Sequence, residues 1–136
     1  MQSPSNKFFI SKTLHLKVSV AVILLVALGY GLYPSKIFPI VFDFIPATAD
    51  LKNIFRATSG LYLAMVIVWT AGIMKERLWL AAAISNIAFM SGLAMGRIIS
   101  LLVDGIPSAI FLVGLVTELL LGSWGLFNLR KYYGSW

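Results

Sequence analysis

At 136 residues, 60% hydrophobic and 12% charged, the chain is too apolar for a water-soluble domain, in which about a quarter of residues are charged. Its net charge of +6 comes from Lys and Arg residues scattered around the ends of apolar runs, with no basic face of interleaved aromatics, which argues against a nucleic-acid partner. The chain has no cysteine and a single histidine, so disulfides, thiolate nucleophiles and sulfur-ligated metals are excluded and no metal or cofactor is expected.

The first seventeen residues set Lys7, Lys12 and Lys17 among Phe8, Phe9, Ile10, Leu14 and Leu16. That mixture fits a plain basic flank or a segment lying on an anionic cytoplasmic surface. His15 falls in this flank and is read as an ordinary interfacial residue. An uncharged span follows from Val18 to Ser35, with Tyr30 and Tyr33 at the depth of an aromatic belt and Pro34 ending the helix. Lysines ahead of an apolar run that holds Ala27 and Gly29 also resemble a cleavable secretory signal. The run continues to Tyr33, which favours a retained span.

The connection SKIFPIVFDFIPATADLKN is too apolar for a solvated loop and too broken, by Pro39 and Pro46, to cross a bilayer. It is expected on the membrane face, as an interfacial anchor or, through Phe38, Phe42, Phe44 and Ile45, as a cover over the mouth of the bundle. Thr48 or Asp50 offers an N-cap to a second span over 53–74. KER links it to a third span over 78–103, and DGIP, with Asp104 and Gly105 in the turn and Pro107 opening a helix, leads to a fourth over 107–129. All of these approach or exceed the roughly 20 residues that cross about 30 Å of hydrocarbon.

Short links make neighbouring spans antiparallel. The expected fold class is all-α: a polytopic membrane protein with an antiparallel four-helix transmembrane domain over 18–129, an interfacial segment between helices 1 and 2, a basic flank over 1–17 and a tail over 130–136. Lys7, Lys12, Lys17, Lys75, Arg77, Arg130 and Lys131 on one side outnumber Lys36 and Lys52 on the other. The positive-inside rule therefore puts both termini in the cytoplasm of a cell whose inner (plasma) membrane holds the protein.

Helical spacing groups the polar residues of the spans into stripes expected to face inward. Asn53, Arg56, Gly60 and Ala64 form one; Asn86, Leu93, Arg97, Ser100 and Asp104 a second; Gly114, Glu118, Gly122 and Gly125 a third. The small residues allow close helix approach. Arg56 and Arg97 are expected to share a layer in the outer half, and Glu118, roughly 16 Å into its span, to lie near the depth of Asn86 and Tyr62. A carboxylate there must be protonated, paired or reached by water.

The segments NIFRATSGLYLAM, GRIISLLVDGIPS and LVTELLLG resemble the signature of a family of small bacterial four-helix integral membrane proteins classed only as a domain of unknown function. The likeness covers about residues 18–128, at Asn53, Arg56, Gly60, Tyr62, Gly96, Arg97, Ser100, Asp104, Gly105, Pro107 and Glu118. It implies fold and membrane residence and brings no activity.

The leading functional reading is a binding protein. Arg56 and Arg97 converge with Asn53, Ser100 and Asp104, above Glu118, Tyr62 and Asn86, to hold an anionic lipid head group or small anionic amphiphile. A closed network of the two arginines with Asp104 and Glu118 is its structural rival. The alternative function is a proton-coupled transporter or channel, working as a dimer, in which Glu118 titrates. An enzyme would have to use Glu118 or Asp104 as acid or base, and the chain lacks the parts of hydrolase, redox and kinase sites. Membrane lipids, an anionic amphiphile and a second copy or larger assembly are the expected partners.

Overall fold

A computed structural model describes residues 4–42 and 44–133, with side chains from residue 12 onward. Phe8, Phe9 and Ile10 of the basic flank lie outside the described side chains. The elements run α1 (Pro4–Gly31), α2 (Pro34–Val41), α3 (Ala49–Met74), a 3-10 turn (Glu76–Leu78), α4 (Trp79–Val103) and α5 (Ala109–Tyr133). Helices α1, α3, α4 and α5 are long and apolar enough to cross a membrane, the first over Lys12–Gly31. The protein is an all-helical, multi-pass membrane protein with one end carrying α2 and the other both termini.

Local chemistry sets the boundaries. Pro34 occupies the first turn of α2, where a missing N–H costs nothing. It therefore begins a helix rather than ending one, and α1 stops at Gly31. The connection predicted as irregular contains this short helix, with Pro39 inside it. Thr48 caps α3, its hydroxyl accepting from the Leu51 N–H at 3.2 Å, and Asp50 sits in the first turn, where the helix dipole favours it. Asp104 ends α4 with its N–H on the Ser100 carbonyl at 2.7 Å. Gly105 follows at φ 97°, a conformation that suits glycine. The last helix starts at Ala109, not Pro107.

Packing is uneven around the bundle. Helix α1 lies closely along α3, α4 lies along α5, and α3 meets α4, whereas the α1–α5 seam is slight. In the first pair the Ser59 hydroxyl donates to the Ala27 carbonyl at 2.7 Å, with Gly31 against Ser59. In the second, Gly122 and Gly125 let α5 approach Met90 and Asn86. Near the terminal end Gly72 of α3 is so close to Ala82 that a Cβ there would collide with it.

The terminal end is closed by large side chains. Trp69 is wholly buried and donates to Ser85 at 3.3 Å. Trp79 donates to the Lys12 carbonyl at 3.1 Å and carries the Lys12 ammonium 4.4 Å above its ring. At the other end, Phe38 of α2 is fully buried among Tyr30, Phe42, Phe44 and Phe55, and Phe42 stacks on Phe111 of α5. Ile45, expected to help cover the mouth, is exposed.

Two sequence expectations are overturned. The stripe of Asn53, Arg56, Gly60 and Ala64 faces out of the bundle, and α3 turns Ser59, Tyr62, Trp69 and Gly72 inward. Arg56 lies near the start of α3, where its long stem can carry the charge toward the membrane surface, so it needs no interior partner. His15 is not interfacial. It is wholly buried, with Nδ1 2.9 Å from the Asn128 amide nitrogen of α5, because α1 continues straight through the basic flank and docks it on the bundle.

Candidate functional site

Two ion pairs are present among the described residues: Lys12 meets Glu76 at 3.3 Å at the exposed terminal end, and a second, deeper pair joins α4 to α5. Arg97 Nε donates to both oxygens of Glu118, at 2.9 and 2.8 Å. The Glu118 side chain is 7% exposed and that of Arg97 23%, so the pair is buried on the carboxylate side and open on the guanidinium side. The register of both helices explains the meeting: Arg97 is about two turns from the end of α4 and Glu118 a little deeper from the start of α5. Gly114, one turn before Glu118, makes room for the guanidinium, since a Cβ there would lie 3.3 Å from Arg97 Cζ. Phe111 completes the seat with its ring centroid 5.4 Å from Cζ.

This pair sits where two clefts meet. The first, about 330 Å³, opens along the slight α1–α5 seam. Val22, Val26 and Gly29 of α1 face Val113, Thr117 and Leu121 of α5 across it, and Ile37 and Val41 of α2, with Phe42 just after that helix, close it at the α2 end. The second, about 420 Å³, is walled by Gly92, Gly96 and Ser100 of α4 and by Leu112 and Leu115 of α5. Tyr30, Tyr62, Leu93, Arg97 and Phe111 line both. Exposed Leu25 and Val113 stand at the rim of the first cleft, which therefore opens toward lipid.

A guanidinium has five N–H donors in a planar fork. Here Nε–H is given to Glu118, which leaves the Nη edge to Tyr30, whose hydroxyl lies beside it, and to the clefts. Tyr30 and Tyr62 stack at 5.9 Å between centroids. The arrangement is an apolar slot with one hydrogen-bonding spot at its head, the general form of a small-molecule site.

The predicted site residues separate into three groups. Arg97, Glu118 and Tyr62 come together at the clefts, and Ser100 joins the wall of the second. Ser100 donates to Asp104 at 2.8 Å on the exposed end of α4, so Asp104 spends its carboxylate locally. Arg56 and Asn53 are exposed on α3 and line neither cleft. Neither the convergence of two arginines nor the closed network of four charges is found. Asn86 lies nearer the terminal end than predicted, beside Gly125 rather than Glu118. Gly114 lines the site with Glu118, as its stripe predicts, but sequence reasoning missed Tyr30 and Phe111. Tyr30 fits the depth of an aromatic belt, one residue before the end of α1, yet its ring turns inward to stack on Tyr62 and line both clefts.

A family model described as Domain of unknown function (DUF4345) matches residues 11–129, and the chain belongs to that family. No curated protein and no solved structure matches it.

Proposed function

We propose that this protein binds a lipid-like amphiphile whose apolar part lies in the α1–α5 cleft and whose polar end accepts hydrogen bonds from Arg97. The observation that carries the reading is the position of Arg97 at the junction of two clefts, with Nε bound to Glu118, so that its Nη donors are left for other partners. Glu118 already neutralises the guanidinium. A second full negative charge would leave the pair with a net charge in surroundings of low dielectric, where an uncompensated charge is costly. The favoured head is therefore an uncharged acceptor such as an ester or ketone carbonyl. This narrows the anionic head group expected from two arginines, because only one arginine reaches the clefts.

An anionic head would fit only if Glu118 took up a proton as it bound, and that exchange is the signature of the proton-coupled transport reading. The positive-charge distribution supports both termini facing the cytoplasm, with α2 on the far side of the inner membrane.

Native mass spectrometry of protein extracted gently from membranes tests the proposal. An uncharged lipid-like adduct on the wild type, lost in Arg97→Gln while the protein stays folded, is the expected result. Equal retention by Arg97→Gln would contradict it, and an adduct that is always acidic would favour the proton-coupled alternative.

A further inference from the structure

Near the terminal end lies a second polar cluster that shares no residue with the clefts. Asn86 of α4 is wholly buried, and among the described residues neither its Oδ1 nor its Nδ2 has a hydrogen-bond partner. The same holds for His15 Nε2 and Ser19 Oγ, both on fully buried residues of α1. His15 and Ser19 are one helical turn apart and share a face. Gly125 of α5 places Asn86 and His15 in one layer: a Cβ built there would lie 3.4 Å from Asn86 Oδ1 and 3.6 Å from His15 Cδ2. Cδ2 is the ring carbon bonded to the unpartnered Nε2, so this edge of the ring faces Gly125, as Asn86 Oδ1 also does.

The other side of the ring fixes its proton. Asn128 Nδ2 approaches His15 Nδ1 at 2.9 Å, and an amide NH2 group can only donate. We take the Asn128 amide as the donor, so that Nδ1 accepts and the ring hydrogen of a neutral imidazole is on Nε2. The cluster therefore offers an imidazole N–H, two amide N–H groups, an amide oxygen and a hydroxyl. Buried polar groups are almost always satisfied by protein or by ordered water.

The occupant must both donate and accept at short range. A lipid chain can do neither. An ion finds no charged ligand here, and among the described residues no group of three or more His, Cys, Asp or Glu could hold a metal. Water meets the requirement, since an internal water makes about three hydrogen bonds to groups of this kind.

We propose that His15, Ser19 and Asn86 form an internal water site between α1 and α4, with Asn128 setting the His15 tautomer that faces it. One turn further along each helix, Ile23, Met90 and Leu121 are all buried and make a dry layer between this site and the Arg97–Glu118 pair. The bundle thus has two separate polar layers, one hydrated and neutral, the other ionic and open to lipid. The water site stands or falls independently of the amphiphile reading.

His15 is the only histidine in the chain, so nitrogen NMR of histidine-labelled, full-length protein in lipid nanodiscs reads it alone. The expected spectrum has a neutral ring protonated at Nε2, with a cross-peak from that N–H to water. Asn86→Leu should reduce the water cross-peak several-fold and keep the tautomer, whereas Asn128→Leu should lose the single-tautomer signature. A proton on Nδ1, an Nε2–H with no water correlation, or a full-strength cross-peak in Asn86→Leu would overturn the proposal. If Asn86→Leu does not fold, the wild-type spectrum still decides.

Discussion

In the half of the bundle that carries α2, Arg97 and Glu118 pair beside two clefts, and a Cβ added at Gly60 or Gly96 would meet nothing within 4 Å, the close contact there being that of Gly31 with Ser59 in the α1–α3 pair. In the half that carries the termini, Gly72 and Gly125 are crowded by neighbours, and the buried polar side chains are Thr13, His15, Ser19, Asn86 and Asn128. Charge is kept where the helices part and one partner stays open; uncharged groups are kept where they close. The difference follows from the cost of burial, which is far higher for an ion than for an amide. It also marks the loose half as the one that can admit a molecule and the tight half as the one that holds the helices in register.

The contrast breaks most visibly at the ion pair. Glu118→Leu should cost about 3 kcal/mol in mixed-micelle unfolding, because removing one partner leaves the other charge stranded. Adding Arg97→Met should recover most of that loss, and a double variant no more stable than the single would show that the charges act separately. Gly72→Val comes next. Overpacking a tight helix contact costs about 1–3 kcal/mol, and a neutral outcome would mean that the terminal half is not close-packed. Asn128→Leu should cost about 1 kcal/mol by leaving His15 Nδ1 without its donor. Smallest of all, Gly96→Ala should change stability by less than about 0.5 kcal/mol, as substitutions clear of packed features do. A large loss there would place a close neighbour against α4.

Much of the fold was legible because hydrophobic run length and short links carry it: four spans, antiparallel neighbours and a cap at Thr48 or Asp50, of which Thr48 is the one used, follow from local residues. The faces were harder. The Gly114–Glu118–Gly122–Gly125 stripe points inward as read, since small residues and a carboxylate agree on one side of α5. On α3 the same logic failed because Arg56 could reach the surface, and aromatic Tyr62 and Trp69 took the interior. Arg97 and Glu118 were legible as partners, but the clefts beside them were not, because they arise from how closely whole helices approach. His15 was misplaced because basic neighbours signalled a flank, whereas the helix runs on and buries one face of it.

Photocrosslinking with a monoacylglycerol that carries a diazirine in its acyl chain tests the central claim most directly, with the matching fatty-acid anion as competitor. The account predicts labelling of peptides from the cleft walls, Val22–Gly29 of α1 and Val113–Leu121 of α5, that disappears in Arg97→Gln and is little reduced by the anion. Labelling spread evenly over all lipid-facing helices, or unchanged in Arg97→Gln, would contradict it.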